Sequence, residues 1–238
     1  MKLNLGIIGA GRMGAVYAGH LQKNLSVKLV AIADPSEETR TRVAAEFDID
    51  RVLEAHEELA ALPNLDAVIV ASPTQTHAEI VQAAAAAGKH IFCEKPLALT
   101  VAGCDKAIAA VEQAGVKMQI GFMRRFDRPY EEAKRQIEAG RIGTPVMFKA
   151  TSRDPHRTHL EYAKRENSGG LILDMGIHDI DLALWLMDEE IVRVHSEGEC
   201  LVFPELRDVG DIDNAVVNVK FASGAVGNMD ISRNAVYG

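Results

Sequence analysis

Leu5-Gly6-Ile7-Ile8-Gly9-Ala10-Gly11-Arg12-Met13-Gly14 is an apolar run that feeds directly into G-x-G-x-x-G, and Ala15-Val16-Tyr17-Ala18 then opens a helix. Each glycine has its own task in such a turn. Gly9 permits the tight bend, Gly11 removes the Cβ that would hold a pyrophosphate off the backbone, and Gly14 lets the helix lie close on its strand. The helix N-terminus, with open N–H groups and a positive dipole end, then favours phosphate. Three spaced glycines alone also fit an ordinary turn. A second apolar run, Val27–Ala33, decides the matter. It ends in Asp34, about 20 residues on, where an acid would hydrogen-bond an adenosine ribose 2′-OH. A bound dinucleotide is therefore expected to meet Gly9, Gly11, Arg12, Met13, Gly14 and Asp34.

Outward from this motif, short apolar runs alternate with helical segments. Strands are expected at Leu3–Ile8, Val27–Ala33, Ala67–Ala71, His90–Cys93 and Lys117–Gly121. Helices are expected at Met13–Lys23, Ser36–Phe47, His56–Ala61, His77–Ala87 and Val101–Ala114. Runs such as Ala67-Val68-Ile69-Val70-Ala71 are apolar at consecutive positions, as parallel strands covered on both faces should be. The order strand, helix, strand implies a doubly wound parallel sheet, a Rossmann-type α/β domain, over residues 1–121.

Ligands of such sheets bind beyond the carboxyl ends of the strands. After Ala71 comes Ser72-Pro73-Thr74, which reads equally as a capped loop and as a cofactor contact; His77 reads as a first-turn helix residue. After Cys93 comes Glu94-Lys95-Pro96. Charges at the end of a central strand are costly unless they meet partners. Besides a salt-bridged lysine, the pattern fits a Lys95 ammonium aimed at a substrate oxygen beside the nicotinamide, with Glu94 setting its charge. After Gly121, Phe122-Met123-Arg124-Arg125-Phe126-Asp127 reads as the crossing into a second domain, residues 122–238. Paired arginines usually are solvated or hold carboxylates, and spacing alone does not say which of the two faces a ligand.

The second half reads as helix Pro129–Ala139, strand Val146–Arg153, a long polar loop 154–168, and then strands Ile191–Phe203, Ala215–Phe221 and Ala225–Ser232. That is an α+β domain, its sheet antiparallel or mixed with helices on one side. Between these lies Gly169-Gly170 followed by Leu171 to Leu186. Leu182, Trp185 and Leu186 form a core-facing stripe, while Asp174, His178 and Asp181 at i, i+4 and i+7 fall on one face. A histidine beside a carboxylate is a proton acceptor suited to neutral pH. A plain helix cap at Asp174 with His178 as its partner is the structural alternative. Without a third ligand motif nearby, no metal site is expected.

Bulk properties narrow the class further. The chain has 238 residues, 47% hydrophobic and 25% charged, which is enough for a substantial core in one or two domains. A net charge of −8 argues against a nucleic-acid partner. Three widely spaced cysteines (Cys93, Cys104, Cys200) read as reduced thiols of a cytoplasmic protein. No apolar stretch reaches the roughly 18 residues of a membrane span.

With these residues in hand, the chain resembles the glucose–fructose oxidoreductase/inositol dehydrogenase family over its whole length. The carriers are the glycine motif, Glu94-Lys95-Pro96, Gly121 to Asp127, and Gly169 to Leu186. The resemblance implies a Rossmann domain and an α/β domain whose open sheet often builds dimers or tetramers. It implies hydride transfer from a secondary alcohol of a cyclic polyol or sugar, inositol-like, to NAD. It also implies that Lys95, Asp174 and His178 match the catalytic trio, that Arg124, Asp181 and Tyr237 line the polyol site, and that the Lys95–Pro96 bond is cis. Asp34 would repel a 2′-phosphate that Arg12 could otherwise meet, so NAD is favoured over NADP. Ser152 stands where some inositol enzymes carry a histidine, and the chain stops at Gly238 where family members continue. It reads as either a fragment or an unusually short protein, whose last strands would lack neighbours. The same family also holds dinucleotide-binding regulators and NAD-dependent glycosidases.

Overall fold

The structure is a computed structural model that describes residues 2–235. The chain divides into two compact units, Met1–Gly121 and Phe122–Gly238.

The first unit is a six-stranded, wholly parallel sheet. Its strands are β1 Leu3–Ile8, β2 Val27–Ala33, β3 Arg51–Leu53, β4 Ala67–Val70, β5 His90–Cys93 and β6 Met118–Ile120, in the order β3-β2-β1-β4-β5-β6. The helices between them are α1 Arg12–Gln22, α2 Glu37–Glu46, α3 His56–Ala60, α4 His77–Ala86 and α5 Val101–Ala114. Strand order reverses between β1 and β4, and such a reversal opens a crevice at the strands' carboxyl ends. Alternate residues supply opposite faces. Ile8, Val68 and Val70 pack with Ile80, Val81 and Ala84 of α4, whereas Ile7, Ile32 and Ile69 pack with Ala18 of α1 and Val43 of α2. Strand β3 was not anticipated. Its three residues are largely exposed, so the apolar periodicity that marks the other strands is missing there.

The second unit contains α6 Arg128–Glu138, β7 Met147–Arg153, the short helices α7 Leu160–Ala163 and α8 Arg165–Ser168, a π-helical turn at Ile172–Gly176, and α9 Ile177–Met187. Strands β8 Ile191–Glu199, β9 Asn214–Phe221 and β10 Val226–Ser232 complete it. Its sheet runs β7-β10-β9-β8, antiparallel except for the parallel pairing of β10 with β7. One face carries Phe148, Val217, Val219, Phe221, Met229 and Ile231 against Leu171, Met175, Leu182 and Met187, with Trp185 and Leu186 partly buried beside them.

Two expectations need correction here. Strand β8 stops at Glu199 rather than Phe203, because the buried Asp213 carboxylate takes the amide N–H groups of Leu201, Val202 and Phe203 and bends the chain into a turn. The segment with Asp174 and His178 is also not one continuous α-helix, since Asp174 sits in the π turn and His178 in the first turn of α9.

Candidate functional site

At the carboxyl end of β1 the backbone of the glycine motif is closely confined. Gly9 has φ +97°, and a Cβ there would come within 2.5 Å of the Ser72 amide nitrogen. A Cβ on Gly14 would sit 2.0 Å from the Gly9 carbonyl oxygen, so only glycine lets α1 start this close to β1. Gly11 is different. A Cβ there would meet nothing within 4 Å, so open space lies beside the helix start. That space, next to N–H groups that have no intrahelical acceptor, is the cradle a pyrophosphate needs.

Asp34 ties this turn to the next strand. Its Oδ2 accepts the Ala10 N–H at 2.7 Å and its Oδ1 accepts the Ser36 N–H at 2.8 Å, while Ser36 caps α2 through Thr39. Arg40 donates to the Asp34 and Pro35 carbonyls and so braces the same corner. After β4, Ser72 and Thr76 share a hydroxyl hydrogen bond at 2.8 Å and Thr74 is buried. His77 does more than open α4. Its buried ring bridges the Pro96 carbonyl (2.8 Å) and the Ser72 carbonyl (2.9 Å), joining the two strand-end turns.

The Glu94-Lys95-Pro96 turn has a cis Lys95–Pro96 bond. Tyr17 of α1 donates its hydroxyl to Glu94 Oε1, and Glu94 Oε2 accepts the Lys95 amide at 3.2 Å. Burial first, and then the Glu94 carboxylate, push the Tyr17 phenol well above its ordinary range, so the phenol stays a donor. Lys95 itself is half-buried.

The second unit gathers its polar residues around the start of the π turn. Gly169 and Gly170 have φ +79° and +77°, and a Cβ on Gly170 would lie 2.6 Å from Asp211 Oδ1. That oxygen accepts the Leu171 N–H at 2.8 Å. Asp174 Oδ1 accepts the Tyr162 hydroxyl at 2.9 Å, and its Oδ2 accepts Arg233 Nη2 at 2.8 Å. Arg233 is 1% exposed and its Nη1 reaches Asp211 Oδ2 at 2.6 Å. His178 follows Asp174 by four residues and is half-buried.

Both arginines of the crossing segment hold carboxylates. Arg124 pairs with Asp179 at 2.6 Å and with the Ser152 hydroxyl at 3.0 Å. Arg125 grips Asp181 through Nε and Nη2 at 2.6 to 3.1 Å and lies over the Trp185 ring. The hydrogen bonds to Asp181 hold the Arg125 guanidinium above its usual range. Asp181 is buried and anchors Arg125, while Arg124 pairs with Asp179 and keeps its side chain 24% exposed. Tyr237 lies outside the described residues. Tyr162, Arg233 and Asp211 were not picked out from sequence, because they meet Asp174 from other elements and no local spacing reports such a meeting.

Comparison with known proteins agrees with this architecture. Residues 3–122 match the model of the oxidoreductase family with the NAD-binding Rossmann fold, and residues 130–238 match the GFO/IDH/MocA C-terminal domain. The chain belongs to the Gfo/Idh/MocA family of oxidoreductases. Among relatives of this Gfo/Idh/MocA protein, myo-inositol 2-dehydrogenase of Thermotoga maritima is 43% identical over 99% of this chain and 70% of its own. The scyllo-inositol 2-dehydrogenase (NAD(+)) of Bacillus subtilis is 39% identical over 100% of this chain and 69% of its own. The crystal structure of scyllo-inositol dehydrogenase from Lactobacillus casei with NAD(H) and scyllo-inositol superposes with a TM-score of 0.93 at 31% identity, covering 100% of this chain and 72% of that one. Among the described residues no helix is long and apolar enough to cross a membrane, and no group of three or more His, Cys, Asp or Glu could hold a metal ion.

Proposed function

We propose that this Gfo/Idh/MocA protein oxidises a secondary alcohol of an inositol-type cyclic polyol, using NAD. The observation that carries the reading is the Asp174 carboxylate, held from two sides by Tyr162 and Arg233, four residues before His178. Its identity of 43% with a myo-inositol 2-dehydrogenase supports the substrate class. The open space at Gly11 and the Asp34 carboxylate suit the dinucleotide. NAD, when bound, is the hydride acceptor of this chemistry.

In this reading the His178 imidazole takes the hydroxyl proton. Asp174 orients the ring and stabilises its protonated form. The Lys95 ammonium donates to the same oxygen and offsets the alkoxide charge that develops as the hydroxyl proton leaves. Ser72, Pro73, Thr74 and Glu94 flank the dinucleotide, and Asp34 selects NAD over NADP. The test is NADH formation with myo-inositol and scyllo-inositol. H178A should lower kcat by roughly 10² or more, and near-normal turnover would remove His178 from the base role.

We also infer self-association through the second unit's sheet. The edge strand β8 is exposed along nearly its whole length, and Val192, Val194, Met147, Val216 and Val226 present apolar side chains to solvent. Light scattering after size-exclusion chromatography should report a dimer or tetramer; a monomer at micromolar concentration would remove this inference.

A further inference from the structure

Arg233 poses a problem that the roles above leave open. It is a fully buried guanidinium bonded directly to Asp174, the carboxylate assigned to His178. A lone cation there would spend Asp174's negative charge. Asp211 lies on the other side of the same guanidinium, at 2.6 Å, and is itself buried. Two carboxylates and one guanidinium leave the trio with one net negative charge. Its geometry is fixed at several points. Asp211 Oδ1 caps the Leu171 N–H at the entry to the π turn, and Gly170 leaves room for that oxygen. The Arg233 amide bonds the Asp213 carbonyl at 2.9 Å.

We propose that Arg233 and Asp211 are positioning residues for the oxidation: Arg233 fixes the Asp174 carboxylate, and Asp211 cancels the charge of Arg233 so that Asp174 keeps its own for His178. This rests on His178 being the base. The Lys95 ammonium proposed above for the same oxygen is common to the wild type and to both variants below. Arg124 pairs with Asp179 from the crossing segment, and Arg125 pairs with Asp181. Tyr162 donates from α7 to Asp174 Oδ1. Arg165 of α8 approaches Gly170 with its Cγ, on the side where Asp211 Oδ1 lies.

The signs follow from charge alone. D211N takes the trio from one net negative charge to none, so protonated His178 loses support. Y162F removes a donor from the Asp174 carboxylate, which then pulls harder on protonated His178. The experiment is kcat/KM against pH for the wild type, D211N and Y162F, with folding checked by near-ultraviolet circular dichroism. D211N should move the acid limb to lower pH by on the order of half a unit or more, and lower kcat on the plateau. Y162F should move the same limb to higher pH. A purely structural role for Asp211 predicts lower activity with the limb unmoved, and that result would overturn the proposal.

Tyr162 is 40% exposed, so Y162F keeps its fold if D211N does not; an unmoved limb in that variant also overturns the proposal. Titration of the His178 ring by nuclear magnetic resonance, assigned with H178A, separates the charge balance around Asp174 from the base role of His178. A ring titration shifted in D211N, together with an active H178A, keeps the charge relay and rejects His178 as base. An unshifted ring with an inactive H178A does the reverse.

Discussion

The Asp34 carboxylate accepts the Ala10 N–H at 2.7 Å, in the middle of the glycine motif. The acid at the end of β2 therefore shapes the glycine turn, in addition to the ribose contact proposed for it. D34A should lower NAD affinity at least about tenfold and also cost about 1–2 kcal/mol of stability, because it strips two amide donors of their acceptor. Calorimetric titration with NAD and thermal melting check the two effects. Lost affinity with an unchanged melt would confine Asp34 to the ribose.

Gly11 and Gly14 should respond oppositely to alanine. G11A adds a methyl group into open space, so the melting temperature should stay within about 2 °C of the wild type while NAD binding falls about tenfold or more. G14A forces a Cβ to 2.0 Å from a backbone oxygen, so it should lower the melting temperature by several degrees even without cofactor. A G11A variant that still binds NAD normally would remove the pyrophosphate from that space.

Asp213 gives the second unit an acid-sensitive joint. It is fully buried, which by itself would raise its carboxyl; the amides of Leu201, Phe203 and Val202 and the Asn214 side chain outweigh that and hold it below the ordinary carboxylate value of 3.8. A carboxyl lowered in the folded state contributes stability that is fully present above its unfolded value and is lost as pH falls through the folded one. Urea midpoints should therefore drop below about pH 4 in the wild type. D213A should lose about 3 kcal/mol at neutral pH, with a shallower fall on acidification. A D213A midpoint equal to that of the wild type at pH 7 would refute this.

The thiols should divide by burial. Burial and then Glu94 push the Cys93 thiol up, and burial followed by Asp213 does the same for Cys200, so neither forms thiolate at neutral pH. Cys104 is only partly buried. A thiol reagent should modify Cys104 in the folded protein and reach the other two only on unfolding, as mass spectrometry of peptides reads directly. Fast labelling of Cys93 would contradict the packing at the end of β5.

How much was legible in the sequence follows from range. The alternation of Ile7 and Ile8, or of Val68, Ile69 and Val70, encodes which face each side chain serves, so the parallel sheet could be read from neighbours in the chain. Glu94-Lys95-Pro96 and the Asp174 to His178 spacing were visible for the same reason. The environment of Asp174 was not. Tyr162 lies 12 residues before it and Arg233 lies 59 after it, and pairing over such distances exists only once the sheet has formed. Likewise Asp213 ends β8 from 10 residues away, through a carboxylate that a single-strand pattern does not register. The Arg124-Arg125 pair showed that charge was present, but its two carboxylates become apparent only in three dimensions.

The most direct test of the account is a single-turnover experiment with NAD and myo-inositol, or inositol carrying deuterium at the reacting carbon, in the wild type and in H178A. The account predicts NADH formation by the wild type, slowed by the deuterium, and a loss of roughly 10² or more in H178A with NAD affinity intact. Normal NAD binding without NADH from any cyclic polyol, or equal rates in the two proteins, would contradict it.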